Sequence, residues 1–260
     1  MKKNKSETAV SQSNLLIESR YKLTLNEIKL FLWMIKQVHP RDKDFKTYRL
    51  DIKEFSDSTA SNSTAIYTRA KEITKAFLSK VHELDGGNLQ IGFLSSVRYH
   101  PGKGYISYRF DPDLKPYLLQ LREQFTTYHI ENILMCKHTA SIRLYQLLKS
   151  YEGLGTRKML LEDLRYKLVM ESRYRQWHDF KRYILDRSRK EINKLTDIRF
   201  NYTFLKRGRT VFVLIFTVKT KDPVAPGVSY HGSMTPTLDR LEEEGKDACP
   251  MPAELKDRIK

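Results

Sequence analysis

The order helix, short strand, short helix, long helix, two-stranded hairpin can be read twice along this 260-residue chain, about 110 residues apart. In the first copy, Thr24 and Glu27 form an S/T-x-x-E capping signal. The helix behind it carries Ile28, Phe31, Leu32 and Ile35 on one face. It is expected to end near His39-Pro40, because proline disfavours helical geometry in the residue before it. Tyr48 to Leu50 reads as extended, Asp51 as the cap of a brief helix from Ile52 to Phe55, and Ser56 to Ser63 as a polar turn. A long helix is expected from about Thr64 to Leu84, with Ile66, Ala70, Ile73, Phe77 and Val81 inward. Two extended runs, Leu89–Val97 and Tyr105–Phe110, close a hairpin around His100-Pro101-Gly102-Lys103-Gly104.

The second copy opens with a helix from Ser141 to Tyr151, with Ile142, Tyr145 and Leu148 inward. A short strand follows at Lys158–Leu160, a short helix at Leu161–Leu168, and an arginine-bearing turn at 171–175. A long helix is expected from about Gln176 to Leu195, with Phe180, Ile184, Ser188 and Ile192 on one face at four-residue spacing. Ile198–Leu205 and Thr210–Lys219 then form a hairpin across Lys206-Arg207-Gly208-Arg209. The halves share element order but little identity.

This order is the winged-helix pattern, with a helix-turn-helix and a β-hairpin wing. The expected fold class is α+β, as tandem winged-helix domains. Residues 1–12 are expected to be disordered, 13–120 to form the first domain, 121–221 the second, and 222–260 a flexible acidic tail.

Charge narrows the function. The chain carries a net charge of +16, and both hairpin tips are basic. The tail from 222 onward has 5 basic against 8 acidic residues, so the surplus lies elsewhere: +7 over residues 1–120 and +12 over 121–221. Such a balance favours a polyanionic partner, above all nucleic acid. No apolar run approaches the length of a membrane span, and the polar start MKKNKSETAV is not expected to be a secretory signal. The two cysteines, Cys136 and Cys249, point to a reducing compartment rather than a disulfide framework.

Enzyme chemistry is not expected. There is no Gly-x-x-x-x-Gly-Lys-Ser/Thr phosphate loop, no Cys/His zinc spacing, and no His-x-His pair of the kind that serves metal-dependent tyrosine nickases. Neither metal nor cofactor is expected. Tyr145 and Tyr183 sit where packing is the simpler role, and Glu162/Asp163 read as a helix start.

With the apolar face of the second long helix turned inward, the opposite face carries His178, Lys181, Arg182 and Arg189. The preceding turn supplies Arg173 and Arg175, and the wing tip Lys206, Arg207 and Arg209. A helix fits the major groove of B-DNA, where arginine donates two parallel hydrogen bonds to guanine. Lysine, a point charge, suits phosphate. The first long helix offers Tyr67, Thr68, Arg69, Lys71 and Lys75, with Lys103 at its wing tip. These are expected to position the backbone rather than read sequence.

Several segments also carry a family resemblance: Ser13–Leu16, Tyr21–Glu27, Ser141–Lys149, Asp179–Arg182, Glu191–Asp197 and the strand pair around Gly208-Arg209. On these the chain resembles the iteron-binding replication initiators of bacterial plasmids, over about residues 10–220. Arg187-Ser188-Arg189 departs from the family pattern, which often has Pro-Ala followed by an aliphatic residue.

The resemblance implies two winged-helix domains on successive major grooves of repeated origin sites, the second dominating sequence recognition and the first also mediating dimerisation. It implies monomers, in equilibrium with a homodimer, that open the origin and recruit the host initiator and replicative helicase in a bacterial cytoplasm. It further implies dimers that repress their own promoter. Two other readings fit the same residues: a dimeric winged-helix repressor without an initiator role, and a tyrosine-dependent DNA nicking or joining enzyme. A non-DNA scaffold is a third.

Overall fold

The computed structural model describes residues 9–59, 63–84, 87–121 and 124–221, and for 63–67 the backbone alone. Order begins earlier than the sequence suggests. Strand β1 (Ala9–Ser13) pairs antiparallel with β7 (Phe125–His129), from Ala9 opposite His129 to Ser13 opposite Phe125. The expected disorder of 1–12 therefore fails for residues 9–12, and Val10 and Gln12 are fully buried. A partner more than a hundred residues away leaves no local signal, and Gln12 reads as solvated. Its Oε1 in fact accepts from Tyr128 Oη (2.6 Å) and Gln146 Nε2 (3.0 Å).

Ser13 caps α1 (Asn14–Glu18) through a bond from Leu16 N. Helix α2 (Leu25–Ile35) starts on the expected capping box, with Thr24 N donating to Glu27 (2.8 Å) and Glu27 N to Thr24 Oγ1 (3.4 Å). It ends at Ile35, short of His39-Pro40, because the chain turns at once: Gln37 N bonds Met34 O and Val38 N bonds Ile35 O. Strand β2 (Tyr48–Asp51) leads into α3 (Ile52–Ser58), capped by Asp51, and then α4 (Ser63–Ser79).

Helix α4 is shorter than expected. His82–Leu84 is strand β3, paired with β4 (Leu89–Ile91), and the single extended run expected at 89–97 is split between β4 and β5 (Leu94–His100). Val81, expected inward, is 65% exposed. His82 and Leu84 point inward and Glu83 outward, the two-residue period of a strand. The split falls at Gly92, where a Cβ would stand 3.3 Å from the Phe77 carbonyl oxygen. Strand β6 (Tyr105–Phe110) completes a three-stranded sheet of order β2-β6-β5. Its core is aromatic: Phe93 lies between Phe31 (4.1 Å) and His82 (3.7 Å), with Phe77 edge-on.

After α5 (Lys115–Leu118), β7 and α6 (Glu131–Leu134), the second unit repeats the plan. It comprises α7 (Thr139–Lys149), β8 (Thr156–Leu160), α8 (Leu161–Lys167), α9 (Trp177–Phe180), a π-wound segment Lys181–Asp186, α10 (Arg187–Leu195), β9 (Ile198–Arg207) and β10 (Thr210–Thr220). Its sheet order is β8-β10-β9. In both units the short strand pairs with the second strand of the hairpin, so the repeat read from element order is a repeat of topology.

Residues 177–195 form one continuous helical stretch, and Phe180, Ile184, Ser188 and Ile192 are all buried as expected. Four residues overshoot one α-helical turn by about 40°. A stripe repeated strictly every four residues would drift round the cylinder, and the wider π turn absorbs the excess.

Helix α7 joins the units. Every residue from Ala140 to Lys149 is buried. Arg143 donates to Tyr21 Oη (2.6 Å), Ile17 O (2.8 Å), Ser19 O (2.8 Å) and Gln146 Oε1 (3.1 Å). Its guanidinium lies 4.1 Å from the Tyr21 ring centroid. Beside it Arg157 makes two bonds to Glu18 (2.7 and 2.8 Å). The segment entering the first unit is thus bound to the second.

Candidate nucleic-acid interface

The second long helix presents a cationic face. His178 is 77% exposed, and Arg182, Arg173 and Arg175 are exposed. The turn bearing Arg173 and Arg175 is fixed from behind. Arg165 donates to the Arg175 carbonyl (3.0 Å) and covers the Phe180 ring at 4.6 Å, while Tyr174, at φ +53°, packs on Tyr183. Lys181 and Arg189 are half-exposed and tied inward. Asp186 accepts from Lys181 (2.8 Å) and Tyr202 Oη (2.7 Å) and lies 3.5 Å from Arg189, whose Nη1 donates to Asn201 (2.8 Å). Burial pushes the Asp186 carboxyl up. The Lys181 and Tyr202 hydrogen bonds and the Lys181 and Arg189 charges outweigh it and hold it below the usual range. Burial and the same carboxylate push the Tyr202 hydroxyl well up, so it stays a donor.

Residues of the second unit expected at the interface thus fall into two sets. His178, Arg182, Arg173 and Arg175 are exposed on one side, with His178 Nδ1 3.5 Å from the Asp179 carboxylate. Asp186 and Arg189 brace the helix against the wing, through Tyr202 and Asn201, and Lys181 is tied to Asp186 along the helix itself. Arg187 is not among the residues expected from the sequence, yet it belongs to this face. It and Arg182 flank the Tyr183 ring at 5.9 and 5.3 Å, and Arg187 is exposed. A 3.6-residue wheel separates the two arginines, whereas a π turn bonds i to i+5 and brings such positions together.

The wing is placed by Trp177, whose ring meets Phe204 at 5.0 Å. Lys206, Arg207 and Arg209 are exposed at its tip, and Gly208 supplies the left-handed residue of the turn at φ +61°. Arg207 and Lys206 extend over Phe212 and Phe204.

In the first unit, Thr68, Arg69, Lys71 and Lys75 are exposed along α4. The Tyr67 side chain lies outside the described residues. Lys71 lies over the Tyr99 ring of β5 at 5.6 Å, and Tyr99 Oη bonds Thr74 Oγ1 (2.5 Å), so helix and wing are joined here too. Lys103 is exposed at the tip, where its N–H donates to the His100 carbonyl (3.1 Å).

Other features bear on the enzyme readings. Tyr145 is fully buried, bonded to Asp197 (2.9 Å) and Asn132 (3.2 Å), and burial pushes its hydroxyl far up. It is out of reach of a phosphodiester. Among the described residues no group of His, Cys, Asp and Glu gathers into a metal site, and no helix is long and apolar enough to cross a membrane.

Two helix-turn-helix units, each braced to a basic-tipped hairpin, define a tandem winged-helix protein. The chain belongs to the initiator replication protein family: residues 9–149 match its first winged-helix domain (Initiator Replication protein, WH1) and 160–218 its second (Initiator Rep protein, WH2). It is 28% identical over 171 residues to the PI protein of Escherichia coli, a match covering 58% of this chain and 54% of that protein, about half its length. It is 24% identical over 229 residues to an uncharacterized 27.6 kDa protein of Escherichia coli, covering 79% of this chain and 93% of the relative. The fold matches a crystal structure of Pi initiator protein in complex with iteron DNA. There the TM-score is 0.72 at 20% identity, over 84% of this chain and all of the other.

Proposed function

We propose that this chain is a plasmid replication initiator that binds repeated sites (iterons) in duplex DNA at an origin. The observation that carries the reading is the exposed cluster of Arg173, Arg175, His178 and Arg182, set beside a cationic wing tip on a winged-helix frame. In this reading Arg182, with Arg175 and Arg173, reads base edges in a major groove, and His178 lines the same groove. Asp186 and Arg189 fix the helix against the wing, and Lys181 and Arg189 lie beside the phosphates. Lys206, Arg207 and Arg209 follow the backbone or the minor groove. Tyr67, Thr68, Arg69, Lys71, Lys75 and Lys103 set register on the adjoining turn of the duplex. The similarity to an initiator crystallised on iteron DNA supports this assignment.

Binding itself performs the work. Several copies on adjacent repeats bend the duplex by 40–90°, at a cost on the order of 1–6 kcal/mol that phosphate contacts offset. A neighbouring AT-rich tract then opens without ATP hydrolysis by this chain, and the host initiator and helicase are recruited to it. Dimerisation through the first unit, and repression of the chain's own promoter as a dimer, belong to the same reading. The protein acts in the bacterial cytoplasm without cofactor or catalysis of its own.

The test is footprinting over DNA flanking the coding region, with mapping of melted bases by a single-strand-specific reagent. Occupancy of direct repeats with melting beside them is expected. Occupancy of an inverted repeat alone would make the protein a repressor, and a covalent protein–DNA adduct after denaturation would make it a nickase.

A further inference from the structure

Wing residues Arg199 and Lys219 stand directly opposite each other in the β9–β10 ladder. Opposed side chains on one face of an antiparallel pair have Cβ atoms about 4.5–5.5 Å apart, and like charges there destabilise the sheet. Among the described residues this is the one ladder pair of two like charges. Both side chains are exposed, and neither has a hydrogen-bond or ion-pair partner among the described residues. The contrast with the other cations is sharp: Lys149, Arg157, Lys167 and Lys181 each have a carboxylate within 4 Å.

The pair is not on a convex surface. It lines an open groove between α10 and the base of the wing, with Arg189, Asn193, Asn201 and Thr217 on its other walls. The groove is built to last. Asn193 spans it, donating to the Phe200 carbonyl (2.9 Å) and accepting from the Phe200 N–H (2.8 Å), and Arg189 is held on Asn201. One carboxylate, Asp186, lies at its far end, 3.5 Å from Arg189.

We propose that this groove seats the DNA sugar-phosphate backbone, with Arg199 and Lys219 each neutralising a phosphate beside the groove read by the second long helix. The proposal rests on the duplex-binding function above and extends its footprint to residues outside the exposed cluster and the wing tip. From Arg199 to Arg207 the strand advances about 27 Å at about 3.4 Å per residue. Base and tip therefore meet the duplex at separate points, and the wing becomes a two-point clamp.

The test uses the full chain, a duplex of direct repeats and a random duplex of equal length, titrated by fluorescence anisotropy over a range of KCl. Each phosphate neutralised contributes about 0.9 to the slope of log K against log salt. The double variant R199T/K219T is expected to lose about two units of slope, equally on both duplexes. Its thermal midpoint should be unchanged or higher, since the like-charge pair is gone. The charge-keeping variant R199K/K219R should retain the wild-type slope. If the double variant unfolds early, Lys219→Thr alone reads the same quantity, with an expected loss of about one unit. An unchanged slope, or a loss on the repeats alone, would overturn the proposal. Failure of the wild-type protein to bind either duplex would overturn the function beneath it instead.

Discussion

The Arg143 guanidinium donates to the Tyr21 hydroxyl at 2.6 Å across 122 residues of chain, with both side chains buried. Burial pushes the Tyr21 hydroxyl up, against the opposing pull of Arg143, so it remains the acceptor and keeps its proton. Two main-chain carbonyls, of Ile17 and Ser19, also depend on Arg143. Replacing it by Met leaves these groups without donors, at about 1–3 kcal/mol each. Arg143→Met is therefore expected to cost about 3 kcal/mol or more, and Tyr21→Phe about 1 kcal/mol, in urea unfolding. A double-mutant cycle with no coupling between the two would contradict the contact.

Arg182 and Lys75 should separate reading from positioning. Arg182→Ala is expected to lose about 1–3 kcal/mol on iteron DNA with little change on random duplex. Lys75→Ala should weaken both alike and flatten the salt dependence by about one unit. Equal losses on both duplexes for Arg182→Ala, measured by anisotropy, would remove it from the residues proposed to read sequence.

Asp186 sets a limit on the same face, because one carboxylate holds Lys181, Arg189 and the Tyr202 hydroxyl. Asp186→Asn should release two cations toward solvent. Random-duplex binding is then expected to tighten and its salt slope to steepen, while discrimination for the repeats falls. Competition binding with excess random DNA measures this directly, and unchanged discrimination would show that the brace plays no part in recognition.

His82 predicts an acid sensitivity. It is 3% exposed, stacked on Phe93, and burial with the nearby Lys80 charge pushes its pKa down to about 4 against 6.5 for a free ring. Between those values the unfolded chain binds a proton that the folded chain refuses, so stability falls as pH is lowered through that window. From pH 6.5 to 5 the loss is about 1.6 kcal/mol. His82→Gln should flatten the decline. Thermal midpoints at several pH values test it, and an equal decline in both proteins would rule His82 out as the cause.

Much of the fold is legible from local pattern. The Thr24–Glu27 box, the Asp51 cap and the stripe from Phe180 to Ile192 all depend on residues a few positions apart, and the structure keeps them. Local pattern could not show β1, whose partner is β7, nor the end of α4, where a two-residue period at His82 and Leu84 replaces a helical one. The site was half legible. Exposed arginines can be counted from a helical wheel, but the pairing of Arg182 with Arg187 depends on the π turn, and the tethering of Lys181 depends on Asp186. Arg143 and Tyr145 are buried and Asp197 half-buried; all three lie in the segments that carry the family resemblance, yet their bonds are to the protein's own scaffold. A shared motif can report what holds a molecule together as well as what it touches.

The buried bonds from Arg143 and Arg157 to the opening segment also change how affinity should be counted. Modules on a slack tether gain avidity through an effective concentration set by the tether's length. Here the connection has no slack, so inserting a few residues into the chain between Leu121 and Gln124 should leave binding nearly untouched. A few base pairs inserted between the two grooves of one site should abolish simultaneous engagement altogether.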